Sequence, residues 1–397
     1  MKKPVITENW IDRLVAYVNP TQGFKRRQYR AALAVTSSYL GAQNPRSLKN
    51  MPISNKSADG DHLPVADTLR KRSRELIRNN PLAGGAIKTK VSNVVGTGLK
   101  LQPAIDHEFL GMSEDQANTW EKNTKREFRM WAESKDCDIT RTNNFYEQQE
   151  LAFLSTLENG DVFALLPMRT VSTLPYKTRI QLVESDRVSN PKYRADTLQT
   201  AGGVERDEFG APVAYHILNQ HPGDAYRYTE NDWRRVPAFG ATTGRRNVIH
   251  LFHRLRPGQT RGIPDLTPVI EPLKQLGDYT QHELTAAAVS AMFTVFTKTL
   301  DGEGLAPMEP DSETNGQRAA ADGEVALAPG AMIDLAPGED VSFANPSRPN
   351  ANFDPFVLAV LRQIGVGLEL PFEILVKHYT ASYSAARAAM LDAWRFF

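Results

Sequence analysis

The sequence predicts an α+β chain, with mixed helices and short strands before Pro264 and a helical part carrying a small β insertion after it. Three observations support this. Apolar residues recur at helical spacing in 65–95, 113–157 and 266–299, short strand-like runs fill 162–255, and two Pro-Gly turns separate three short strands within Glu324–Ala344. A 397-residue chain with 41% hydrophobic content is large enough for one large domain or two to three smaller ones.

In chain order, residues 1–60 come first, with ten Lys/Arg against three Asp/Glu, a balance of +7 that leaves −6 for the remainder. Such a segment reads as a basic arm, loosely ordered past residue 40, that either meets an acidic partner or is simply solvated. Val65–Arg78 reads as a helix with Leu69, Leu76 and Ile77 on one face and Arg70, Lys71, Arg72, Arg74 and Arg78 over the rest. The basic runs Lys25-Arg26-Arg27 and Arg70-Lys71-Arg72 could contact phosphate; for the second a solvated face or a subunit contact is the preferred reading. Asn79-Asn80-Pro81 stops it, Ala83–Val95 follows as a second helix, and Leu99–Pro103 alternates as a short strand. Ser113 and Gln116 have the spacing of a reciprocal cap for a helix anchored by Trp120, Phe128 and Trp131. Another helix runs from Asn144 to Leu157. After the Asn159-Gly160-Asp161 turn come strands over Val162–Leu166, Arg179–Val183, Ala214–Leu218 and Val248–Phe252.

From Leu266 to Thr299 the helical spacing is sustained, a length of about 50 Å at the α-helical rise, with Pro268 and Pro272 near its start. Leu284–Thr297 carries no charged residue, so this stretch needs cover from its own fold or from neighbouring subunits. Residues 300–323 read as a Gly-, Pro- and acid-rich excursion, 352–367 as a returning helix, 371–382 as a loop, and Ser382 onward as a last helix still running at Phe397. A chain that stops inside a helix reads as incomplete.

No chemistry assembles from these residues. There is no phosphate loop, no nucleophile elbow and no paired-cysteine or His-Glu-x-x-His motif, so no catalytic residue, metal or cofactor is expected. The lone Cys137 rules out an internal disulfide and reads as a buried thiol. No apolar run reaches 18 residues and Lys2-Lys3 is not followed by an apolar stretch, so neither a membrane span nor a secretory signal is expected. The acidic pairs Glu158/Asp161 and Glu184/Asp186 sit at turns and strand ends. Two other functions stay open: a metal-dependent hydrolase using His250 and His253, and a monomeric DNA-binding adaptor using the basic arm.

Several stretches taken in order resemble the lambda-type tailed-phage portal family. They are Leu69–Leu76 with Arg78–Ala83, Asn93–Leu99, Trp120, Phe128, Trp131 and Asp138, Glu158–Phe163, Val248–Phe252 running into Arg256–Pro264, and Tyr383–Ala389. The resemblance implies a portal-protein fold, a ring-forming homo-oligomer, expected to be a dodecamer, around an axial channel. It divides the chain into an arm (1–64), an α/β wing (65–263), a stem helix (264–299), a small β clip (300–350), a returning stem helix (351–370), a tunnel loop (371–382) and the start of a long wing helix (383–397), with the crown missing. It places Lys377, His378, Tyr379 and Thr380 at the channel, and Arg256, Gln259, Arg261 and Arg387 at subunit contacts. The implied role is a head-tail connector at one capsid vertex of the virion, assembled in the host cytoplasm. The implied partners are double-stranded DNA bound transiently and without sequence preference, terminase, capsid and scaffold proteins and head-tail connector proteins, with no membrane.

Overall fold

The computed structural model describes residues 10–36, 47–51, 53–224, 232–291, 295–299, 339–343, 353–379 and 382–397. They belong to two compact units, 1–56 and 57–397.

The first unit contains two helices that its arm-like composition does not announce, α1 (Trp10–Val18) and α2 (Pro20–Thr36). Pro20, with its fixed φ, opens α2, and Asn19 Oδ1 accepts from the Gln22 amide at 3.3 Å. The helices touch closely where Gly23 faces Ala16: a Cβ at residue 23 would lie 2.6 Å from the Ala16 Cα.

The second unit starts with α3 (Ala58–His62), α4 (Ala66–Asn79) and α5 (Pro81–Val94). Asn80 ends α4 and caps α5, its side-chain oxygen accepting from the amides of Leu82 (3.0 Å) and Ala83 (3.2 Å), with Pro81 as the first helical residue. The expected strand at 99–103 does not form. No neighbouring strand offers a ladder there, and the Gln149 carboxamide instead binds both the amide (2.6 Å) and the carbonyl (3.2 Å) of Leu99. The Ser113–Gln116 capping box opens α6 (Glu114–Glu133), and a second box at Asn144 and Glu147 opens α7 (Phe145–Asn159). Phe128, Trp131 and Phe145 join the two helices with ring centroids 5.2–5.6 Å apart.

Two antiparallel sheets follow. Strands β1 (Asp161–Leu165), β2 (Gln181–Glu184) and β7 (Val248–Phe252) make one, in the order β2-β1-β7. Strands β3 (Thr200–Ala201), β4 (Val204–Arg206), β5 (Pro212–Leu218) and β6 (Trp233–Pro237) make the other, in sequence order. Every residue of β1 is buried. Phe163, Leu165, Val183 and Val248 of the first sheet pack with Val204, Tyr215 and Ile217 of the second, one of two apolar cores. The other core is helical: Leu76, Ile87 and Val91 meet Leu266, Leu273 and Leu276, and further Leu361, Ile364, Ile374 and Leu375.

After Pro264 the chain departs from the sequence expectation in three places. The long helix α8 covers Ile270–Ala291 and does not reach residue 299; Val295–Thr299 is strand β8, paired antiparallel with β9 (Glu339–Phe343). The run Val-Phe-Thr-Lys-Thr is β-branched and aromatic, and forms a strand where a ladder partner exists. The three strands expected around the Pro-Gly turns lie outside the described residues, apart from β9. The returning helix α9 (Phe353–Gly367) matches, but the expected loop 371–382 contains a short helix, α10 (Phe372–Val376), because Ile374 and Leu375 turn into the helical core. The last helix, α11 (Tyr383–Ala393), stops at Ala393 and continues as turns, with Trp394 N donating to Met390 O and Arg395 N to Asp392 O. Among the described residues no helix is long and apolar enough to cross a membrane.

Candidate functional site

The loop that joins β7 to α8 is fastened from below by one buried carboxylate. Helix α7 ends at Gly160 with φ +91°, which delivers Asp161 to the start of β1 at 1% exposure. Arg261 meets it in a two-pronged contact, Nε to Oδ2 at 2.5 Å and Nη2 to Oδ1 at 3.1 Å. The remaining guanidinium hydrogens go to the carbonyls of Val188 (2.7 Å), Gly202 (2.6 Å) and Ser185 (2.8 Å), so the whole donor fork is engaged. Gly262 N adds a bond to Asp161 Oδ2 at 3.2 Å. The backbones also touch: a Cβ at Gly262 would lie 1.8 Å from the Gly160 carbonyl oxygen. Burial alone would push the Asp161 carboxyl up, but the Arg261 charge and the His250 hydrogen bond hold it well below the usual carboxylate range.

Ser185, His250 and Asp161 therefore meet, though not as a catalytic relay. The Ser185 hydroxyl donates to Asp161 Oδ1 while His250 Nε2 lies 3.1 Å from Oδ2, so the imidazole serves the carboxylate and does not activate the hydroxyl. His250 is stacked between Phe163 (4.2 Å) and Phe252 (4.3 Å), and burial pushes its pKa down against the pull of Asp161. His253 is exposed just past β7, and among the described residues no three His, Cys, Asp or Glu side chains converge on a metal position. Burial, followed by the Asp138 charge, pushes the Cys137 thiol up to about 11, away from nucleophilic use.

Of the four residues expected at subunit contacts, Gln259 and Arg261 are buried inside the subunit. Gln259 Oε1 accepts from the amides of Leu255 (2.9 Å) and Arg256 (3.2 Å), and its Nε2 donates to Arg261 O at 2.8 Å. Arg256 is half exposed and reaches Asp61 at 2.7 Å; Arg387 is exposed on α11. From α3, Asp59 also ties the loop down, accepting from Thr260 N at 2.8 Å and from Arg206 at 3.0 Å.

The expected channel residues leave α10. Lys377 adopts the left-handed conformation at φ 55°, and Lys377, His378 and Tyr379 are all exposed. Thr380 lies outside the described residues. Lys377 and Tyr379 flank a cleft of about 340 Å³ shared with Lys88 and Asn93 of α5 and with Trp394.

Sequence reasoning missed the acidic partners. Asp161 and Asp186 read as ordinary turn carboxylates, yet both are buried. Arg70, read within its run as a solvated face or a subunit contact, and Arg74, placed off the apolar face, turn inward: Arg70 lies 3.4 Å from Asp186, and Arg74 contacts Asp186 and also Asn159 at 2.7 Å. The signal was their four-residue spacing, which puts both on the face of α4 that also buries Ser73 and Leu76.

Known proteins show the same stretch of chain. Portal protein B of Escherichia phage lambda is 26% identical over 359 residues, covering 86% of this chain and 66% of that protein. The portal protein of Escherichia phage N15 is likewise 26% identical over 359 residues, covering 86% and 67%. A probable portal protein of Halomonas phage phiHAP-1 is 24% identical over 374 residues, covering 91% and 68%. The chain thus spans about two thirds of the length of the relatives it matches. A solved structure described as the neck of a native GTA particle, computed with C12 symmetry, superposes at a TM-score of 0.48 with 15% identity, covering 83% of this chain and 75% of that one. The family model of the phage portal proteins of the lambda family matches residues 44–397, and the chain belongs to that family.

Proposed function

We propose that the chain is a structural, non-catalytic subunit of a portal ring, a dodecamer at one capsid vertex of the virion. The ring conducts double-stranded DNA during packaging and ejection, and docks terminase, capsid and scaffold proteins and the head-tail connector proteins during assembly in the host cytoplasm. Family membership over 44–397 carries this reading. A physical observation supports it. From Gly277 to Ala288 no side chain of α8 is buried, and Leu284 is 68% exposed, whereas Leu273 and Leu276 on the same helix are buried. Its last part, Leu284 to Ala288, carries no charge, and such an end is stable in water when like helices stand beside it, as a closed ring of heterologous contacts provides.

In this reading residues 1–64 are the arm, 65–263 are the wing, α8 and α9 are the paired stem helices, and β8 and β9 lead into and out of the clip. Lys377, His378, Tyr379 and Thr380 face the channel. Arg256 and Arg387 meet neighbouring subunits directly, while Gln259 and Arg261 act through the shape of the loop they hold. A net charge of +1 suits a conduit, since many simultaneous phosphate contacts bind DNA tightly and would stall its passage. Negative-stain class averages of the purified chain viewed down the ring axis test the proposal. Closed rings with a central hole are expected; a chain that stays monomeric at high concentration overturns it.

A further inference from the structure

A second cleft, of about 210 Å³, opens between β4, β5, the end of β7 and the 254–260 loop. It is smaller than the roughly 300 Å³ at which pockets for organic ligands begin, so it suits one compact group. Arg206, Arg246 and Arg254 line it, with Tyr215 and His250 among the other lining groups, and no lining residue is acidic.

The donors are free to act. The Arg246 guanidinium lies over the Phe239 ring at 4.9 Å and that of Arg254 over Phe252 at 5.7 Å. Packing on a ring face leaves the in-plane N–H edge of each guanidinium available, the edge that meets an oxyanion in a two-pronged contact. Among the described residues neither arginine has a carboxylate or hydrogen-bond partner. Tyr215 is 2% exposed, and its hydroxyl has no hydrogen-bond partner among the described residues, yet it is not sealed off: Tyr215 lines the cleft, where an occupant can reach that oxygen. Of the nearby acids, Asp59 already pairs with Arg206 and Thr260 in the cleft wall, so Arg206 is not one of the free donors; Asp161 is held by Arg261, and Asp207 by the amides of Phe209 (3.0 Å) and Ala211 (2.7 Å).

We propose that this cleft binds a single oxyanionic group, a phosphate or a carboxylate, gripped by Arg246 and Arg254 and hydrogen-bonded by the Tyr215 hydroxyl. The group comes either from a free anion or from an acidic side chain of a second copy of this chain. The inference does not depend on the portal reading, because the site is built within one subunit.

Calorimetric titration of the full-length chain, kept dispersed at low concentration, with inorganic phosphate against a chloride control of equal ionic strength tests it. One saturable site per chain is expected. The double variant Arg246→Gln/Arg254→Gln, altered only at exposed positions, should bind roughly tenfold or more weakly, as loss of charge-assisted bonds dictates. Tyr215→Phe should weaken binding less, with an unchanged circular dichroism spectrum. The same titration on the assembled ring separates the sources. A site retained there identifies a free anion, and a site closed by assembly identifies a carboxylate from the second copy; both support the cleft. Absence of a saturable phosphate site in the dispersed chain, or a double variant that binds as well as the parent, overturns the proposal whether or not rings form.

Discussion

Arg261 is the side chain whose removal should cost this protein most. It satisfies a carboxylate at 1% exposure and three backbone carbonyls, of which those of Val188 and Ser185 belong to buried residues. Deleting one partner of a buried pair leaves the other charge uncompensated, so Arg261→Ala should destabilise the second unit by about 3–5 kcal/mol in urea denaturation. Arg261→Lys should recover only part of this, since an ammonium cannot reach the same set of acceptors. A loss below about 1 kcal/mol for the alanine variant would contradict this account. The same centre sets a pH dependence. His62 and His250 are held below the ordinary histidine value, by burial first in both cases, so the unfolded chain binds their protons more readily than the folded one. Stability should therefore fall as pH drops through about 6.5 and below, and His250→Gln should flatten that slope in urea midpoints taken between pH 7.5 and 5. Asp161, depressed below the carboxylate range, has the opposite charge type but the same sign: its contribution is whole above the ordinary carboxylate pKa of about 4 and shrinks progressively as pH falls through and below that value. None of this network was legible in the sequence, because Asp161, Ser185 and Arg261 lie up to 100 residues apart and each has an ordinary local use.

The elements themselves were more legible than their ends. Caps at Asn80, Ser113 and Asn144 are local chemistry, and the helices they open stand where the sequence places them. The end of α8 was misplaced because Val295 continues the helical spacing of Leu284, Ala287 and Ala288 beyond Ala291. A five-residue strand cannot be told from helix by periodicity when its partner lies some forty residues away. Helix α10 was missed because Pro371 and Gly367 drew attention to the stop, while Ile374 and Leu375, which turn it into the core, look like any short apolar run. The two halves of α8 should also respond differently to truncation. Leu273→Ala, at a fully buried position, should cost about 2–5 kcal/mol of subunit stability. Leu284→Ala should change subunit unfolding by less than about 0.5 kcal/mol yet reduce the fraction of chains in rings, measured by mass photometry at fixed concentration. Equal effects on unfolding would show that both halves are covered within one subunit.

At the scale of the whole molecule, two cores of different make share one seam. The β core lies between the two sheets, the helical core gathers α4, α5, α8 and α9, and the loop that ends at Pro264 passes from one to the other. The portal reading was legible at this scale because it rests on the order of many short motifs, which survives where single contacts cannot be inferred. At the seam the chain crosses itself backbone against backbone, Gly160 under Gly262. The consequence belongs to the history of the sequence. A clash between two side chains can be relieved by shrinking either one, so such a pair can drift together. Here both positions already carry the smallest residue there is, so neither can make room for a change in the other. Each glycine bars its partner's substitutions as well as its own, and the pair is a fixed point of the subunit.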